Sequence, residues 1–234
     1  MITPTRIVLL PGMDGTGKLF REFVAALPGE FQIDVVRYPI DVCLSDAELA
    51  DFVRNTVQTA EPFVLLAESF STPLAIRYAA ANPRNLKGLV LCAGFASSPV
   101  QGLRRFIGSL VAPILARVAL PAFAIRTFLI SWDASDDLSA AVRSAVSSVR
   151  PAVIAARLHF VLACDVRKQL GDVAVPMSYI QANQDRLIPG ACMNEIHRIK
   201  PETAVRAIDG PHLILQREPE RTAEIVVEFI RQLR

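Results

Sequence analysis

At 234 residues, 52% hydrophobic and 21% charged, the chain is long enough to bury one large core, with room for an insertion. A formal net charge of +2 provides no clustered excess of Lys and Arg, so a nucleic-acid partner is not expected and a small organic molecule takes its place. The first residues run from Met1 to Arg6 straight into apolar Ile7-Val8-Leu9-Leu10, without the basic leader, apolar core and cleavage site of a signal peptide, so a cytoplasmic location is expected. Cys43, Cys92, Cys164 and Cys192 lie far apart in no metal-ligand spacing, which predicts neither disulfides nor zinc.

Short β-branched apolar runs alternate with stretches of helical period, the pattern of βα units on a parallel sheet. Arg6 to Leu10 is the first predicted strand. Beyond a glycine-rich turn, Leu19, Phe20, Phe23, Val24 and Leu27 recur at helical spacing until Pro28-Gly29. A strand follows at Phe31 to Arg37. Ser45 with Glu48 forms a capping box that opens a helix through about Thr59. Pro62 to Ala67 is the next strand, Thr72 to Ala81 the next helix, and Leu86 to Cys92 a strand apolar enough to be buried on both faces.

The alternation breaks at Ser97. From there to about Cys164 no convincing strand occurs, only apolar, Arg-bearing helical segments separated by Pro99, Pro113, Pro121 and Pro151. This divides the chain into a sheet core of residues 1–96 and 165–234 and a helical cap of residues 97–164. Ile107 to Ile130 is long and apolar enough to suggest a membrane span, but Arg117, Arg126, Pro113 and Pro121 interrupt it. Broken helices covering a site are the better reading, and no stable membrane insertion is expected. The alternation resumes with a short helix near Val166 to Leu170, a strand at Pro176 to Gln181, a helix at Pro189 to Ile199, a strand at Ala204 to Ile208 and a helix from Pro219 to Leu233.

Phe63 to Leu74 reads as a strand, a tight turn with Ser69 at its apex, and a helix. Such a turn presents a hydroxyl at the carboxyl edge of the sheet, beside a helix N-terminus whose N–H groups favour a developing oxyanion. Here the chain resembles the α/β-hydrolase superfamily, and its small capped serine esterases in particular. The family's nucleophile elbow is Gly-x-Ser-x-Gly, and Ala67 and Ser71 replace both glycines. Glu68, in a variable position of that elbow, is assigned no step. The loop Pro11-Gly12-Met13-Asp14-Gly15-Thr16-Gly17 resembles a variant of the family's His-Gly oxyanion loop, which implies backbone N–H donors at Met13 and Phe70. Its glycine spacing is the wrong order for a dinucleotide fingerprint, and Lys18 lacks a Walker context.

Only His159, His197 and His212 are present. His212, in Gly210-Pro211-His212 between the last strand and the last helix, stands on a loop able to reach the serine, and its setting closely resembles the family's catalytic-histidine loop. Asp185, after the penultimate strand, matches the family's acid position. Asp172 and Asp209 are alternatives, but neither follows a strand that precedes the histidine unit, and the order Ser, Asp, His is the one the fold implies. The resemblance thus implies about six parallel strands in order 2-1-3-4-5-6, flanked by helices, with an inserted helical cap. It implies no metal or organic cofactor.

The expected chemistry is cleavage of a carboxylic ester with an apolar acyl or alcohol part, a carrier-bound acyl chain among the candidates. Phe106, Leu110, Phe123, Phe128 and Trp132 of the cap are the candidate substrate contacts; packing of the cap on the sheet is their alternative role. A thioesterase, an acyltransferase, a carbon–carbon bond hydrolase, an interfacial lipase and a non-catalytic small-molecule receptor are the competing readings.

Overall fold

A computed structural model describes residues 6–100 and 121–233. Its six strands form one parallel sheet: β1 (Arg6–Leu10), β2 (Gln32–Val35), β3 (Phe63–Glu68), β4 (Leu86–Cys92), β5 (Met177–Ala182) and β6 (Ala204–Ile208), in spatial order β2-β1-β3-β4-β5-β6. Period-2 alternation sends Val8, Leu10, Leu65, Ala67, Leu89 and Leu91 to one face, and Ile7, Leu9, Val64, Leu66, Val90 and Cys92 to the other. Both sets are apolar, so both faces must be covered.

The first face receives Leu49 and Val53 from α2 (Asp46–Thr56), Leu74 and Ala75 from α3 (Thr72–Ala80), Leu170 from a short helix at Arg167–Asp172 and Ile196 from a helix at Gly190–Ile199. On the opposite face lie Phe23 of α1 (Arg21–Ala26) and Val226, Phe229 and Ile230 of the final helix, Pro219–Gln232. Each buried Val, Leu, Ile or Phe among them contributes about 1.5–3 kcal/mol relative to exposure, and the need to bury both faces fixes the strands in register.

The chain passes from β1 to β2 on one side and returns to place β3 on the other. The loops after β1 and β3 therefore leave the carboxyl edge in opposite directions and open a crevice, where ligands of such sheets bind. The loops after β5 and β6 emerge at the same edge.

Between β4 and β5 the described residues contain helices and no strand: α4 (Ala122–Ile125), a π-helical turn Arg126–Ile130, α5 (Asp136–Ser147), α6 (Pro151–Ala163) and α7 (Arg167–Asp172). The helix Gly190–Ile199 is thus α8, a short Ile214–Arg217 segment α9 and the final helix α10. The segment leaves and rejoins the sheet at one stem, where Ser97 bridges Asp165, the Ser98 N–H donates to the Cys164 carbonyl (3.0 Å) and the Val166 N–H donates to the Ala96 carbonyl (2.7 Å). Ile125, Ile130, Ala134 and Val142 make a separate small cluster with Leu213, whereas Phe160 and Val161 of α6 belong to the main core. Among the described residues no single helix is long and apolar enough to cross a membrane; α5 and α6 reach that length and composition only jointly, across a 96° bend. Most of Ile107 to Ile130 lies outside the described residues.

Some boundaries differ from expectation for local reasons. β2 is an edge strand paired only with β1, and its regular ladder is shorter than Phe31 to Arg37. The first helix starts as a 3-10 turn at Lys18–Phe20, because Gly17 before it is left-handed at φ +70°. α2 carries the predicted capping box but ends at Thr56, where Val57 leaves helical geometry.

Candidate active site

Strand β3 is buried throughout and stops at Glu68; the chain then turns into a 3-10 helix, Ser69–Ser71, that continues as α3. Ser69 has φ +49°, left-handed geometry that a β-carbon disfavours. Surrounding bonds hold it there. Thr72 Oγ1 donates to the Ser69 carbonyl (2.8 Å) and accepts from the Phe95 N–H (3.1 Å). Ala67 and Ser71 are fully buried, which explains why only small residues stand beside the turn.

The Ser71 side chain does more than fit. Its hydroxyl donates to the Pro11 carbonyl and lies 2.8 Å from the Tyr38 hydroxyl, so the serine turn is tied directly to the loop after β1. That loop is itself closed by the Gly15 N–H on the Gly12 carbonyl (3.0 Å) and by Asp14, whose carboxylate accepts from the Thr16 N–H (2.8 Å) and hydroxyl. Gly15 is left-handed at φ +68°, and a β-carbon there would lie 2.6 Å from an Arg157 nitrogen. Gly15 and Gly17, both left-handed and tightly packed, thus serve turn geometry and close packing.

His212 follows β6. Its Nε2 lies 2.9 Å from Ser69 Oγ, and its Nδ1 lies 2.7 Å from Asp185 Oδ2. The other Asp185 oxygen accepts from the N–H groups of Leu187 (2.8 Å) and Ile188 (2.9 Å), which fixes the carboxylate's rotation. The two side chains are 5% and 1% exposed, so water competes little for the bonds between them. The loops are laced together as well: the Gln184 N–H donates to the Gly210 carbonyl (2.9 Å) and Asn183 Nδ2 to Asp209 (2.8 Å). Asp209 is therefore engaged elsewhere, and exposed Asp172 ends α7. His159 and His197 are exposed on α6 and α8.

Glu68, beside Ser69, is buried, and burial raises its pKa to about 7, against lowering influences from Gln216 and His212. Of the expected substrate contacts, Phe106 and Leu110 lie outside the described residues. Phe123, Phe128 and Trp132 are exposed at 62%, 42% and 64%. The Leu213 N–H donates to the Leu129 carbonyl (2.9 Å) and Arg217 pairs with Asp133 (2.7 Å), tying the histidine loop to the insertion. Sequence reasoning missed Arg157, a lone charge in the apolar helix α6. That solitary position was its signal. Among the described residues no cluster of His, Cys, Asp or Glu is built to hold a metal ion.

A parallel sheet in this order, with a serine on the β3 turn, an acid after β5 and a histidine after β6, defines the α/β-hydrolase class. Residues 7–225 match the model of the alpha/beta hydrolase family, and the chain belongs to that family. No curated protein matches. Among solved structures, an esterase from Exiguobacterium antarcticum superposes with a TM-score of 0.83 at 13% identity, covering 99% of this chain and 94% of that one. A thermophilic esterase from Thermogutta terrifontis gives 0.82 at 21% identity, with 99% and 91% covered. A bromoperoxidase from Bacillus anthracis gives 0.82 at 15% identity, with 98% and 93% covered. The likeness establishes the fold, and the differing activities of these proteins leave the reaction to be argued from the site.

Proposed function

We propose that the protein is a serine hydrolase that cleaves a carboxylic ester through an acyl-enzyme on Ser69. The observation that carries this reading is the unbroken chain from Asp185 through His212 to Ser69, with contacts of 2.7 and 2.9 Å. In the reaction, His212 Nε2 takes the Ser69 proton as Oγ attacks the acyl carbon, then gives it to the departing alcohol oxygen. Water attacks the acyl-enzyme next: the same nitrogen takes its proton, and returns it to Ser69 Oγ as the acid leaves. Asp185 holds Nδ1–H and stabilises the imidazolium.

The Met13 and Phe70 N–H groups take the role of oxyanion donors. Two observations support it. The Met13 N–H has no partner among the described residues, and Phe70 lies in the first turn of a helix, where amides have no carbonyl ahead of them. An apolar acyl or alcohol part suits the exposed Phe123, Phe128 and Trp132 of the insertion. The same exposure favours a second reading, a substrate presented at a lipid or micelle surface.

A chain-length series of p-nitrophenyl esters, with unsubstituted protein and Ser69→Ala, tests the proposal. Turnover that rises with acyl length and disappears in S69A is expected; no serine-dependent turnover on any ester or thioester contradicts it. A rate jump as substrate passes into micelles supports the interfacial reading.

A further inference from the structure

Five consecutive carbonyls of the loop after β1 each accept a hydrogen bond. Ser71 Oγ takes Pro11, the Gly15 N–H takes Gly12 (3.0 Å), and the Tyr38 N–H takes Gly15 (2.9 Å). The remaining two belong to Arg157, whose Nη1 donates to the carbonyls of Met13 (2.9 Å) and Asp14 (2.8 Å), while Nη2 donates to Pro39 (2.9 Å). Within each rigid peptide plane the N–H points opposite to the C=O, so a loop whose carbonyls are all engaged has its amide directions fixed as well.

Arg157 is an unusual anchor. It comes from α6, in the insertion, is only 3% exposed, and among the described residues has no carboxylate within ion-pair distance. Its guanidinium lies 5.6 Å from the Tyr38 ring centroid and 5.8 Å from that of Phe70. Burying a guanidinium against neutral carbonyls and ring faces costs desolvation that an apolar residue avoids. The geometry nevertheless puts this one charge beside both residues proposed as oxyanion donors: it grips the Met13 and Asp14 carbonyls, which follow directly on the Gly12–Met13 peptide that carries the Met13 N–H, and its guanidinium lies near the side-chain ring of Phe70.

We infer that Arg157 is a positioning residue for the reaction, through which the helical insertion holds the Met13–Asp14 turn in the shape that oxyanion stabilisation requires. This rests on the proposed acyl transfer at Ser69. The insertion is then part of the catalytic apparatus as well as a cover over the sheet.

The test uses Arg157→Lys, which keeps the charge and aliphatic stem but loses the two-carbonyl grip, and Arg157→Met, which removes the charge. For each, kcat and KM on the best p-nitrophenyl ester are measured beside the affinity of a trifluoromethyl ketone, whose Ser69 adduct mimics the tetrahedral intermediate, and the thermal midpoint. We expect kcat to fall about 100-fold, the scale of a misplaced or lost oxyanion donor. Ketone affinity falls in parallel, and KM changes by less than about threefold. Where R157M does not fold, R157K decides. Variants with a lowered midpoint but kcat and ketone affinity within about twofold of the unsubstituted protein overturn the inference and leave Arg157 as packing alone. If the unsubstituted protein has no Ser69-dependent turnover, the proposed reaction fails, and the inference fails with it.

Discussion

Ser71 stands where the family's elbow has glycine, and its hydroxyl makes the crowded position into a joint between the serine turn and the Pro11 carbonyl, with Tyr38 as a second partner. Ser71→Ala leaves the buried Tyr38 hydroxyl without that partner, an expected loss of about 1–3 kcal/mol in urea unfolding. Adding Tyr38→Phe to S71A should recover part of the loss, since no orphaned hydroxyl remains; a double variant that is less stable by the sum of the two single losses contradicts this. Glu68 gives a prediction of a different kind. Burial raises its folded pKa to about 7, above the ordinary unfolded value of about 4.3. Between those values the unfolded chain holds fewer protons than the native one, so Glu68 makes stability fall as pH rises from about 4.3 to about 7. Glu68→Gln should remove that slope, on the order of 3 kcal/mol across the window, as read by urea midpoints at several pH values. An identical pH dependence in E68Q and the unsubstituted protein would contradict the assignment.

At the scale of elements, legibility followed the physics of each segment. β4 matches its predicted bounds because a near-continuous buried apolar run of that length has few alternative uses, β6 matches its bounds as well, and the Ser45–Glu48 capping box was readable because its reciprocal bonds depend only on local spacing. Ser45→Ala should cost about 1 kcal/mol, measured by thermal unfolding; no change would show the helix start is held by tertiary packing instead. Ser69, Asp185 and His212 were legible together because each follows a strand at the sheet's carboxyl edge, so chain order predicts spatial meeting. The role of Arg157 was not legible as such. A lone Arg in an apolar helix shows that something is unusual, but its carbonyl partners come from residues more than a hundred positions away. The π-helical turn at Arg126–Ile130 and the short α9 were likewise invisible, since neither has a period long enough to read.

Across the whole molecule, two apolar faces of one sheet, each covered by helices, account for the core, and no covalent link is needed to close it. Among the described residues no disulfide is formed; Cys43 is exposed, and Cys92, Cys164 and Cys192 are buried. A thiol titration should therefore find one fast-reacting group in the native protein and four after denaturation, with no change of thermal midpoint on adding a reductant. A midpoint lowered by reductant contradicts this. The fold, topology and family follow from this sheet; the reaction depends on three side chains at one of its edges. Labelling by a fluorophosphonate, followed by peptide mass spectrometry, tests that reaction most directly. The account predicts one adduct on Ser69, absent in S69A and greatly slowed in His212→Ala; an adduct on another residue, or undiminished labelling without the imidazole, would contradict it.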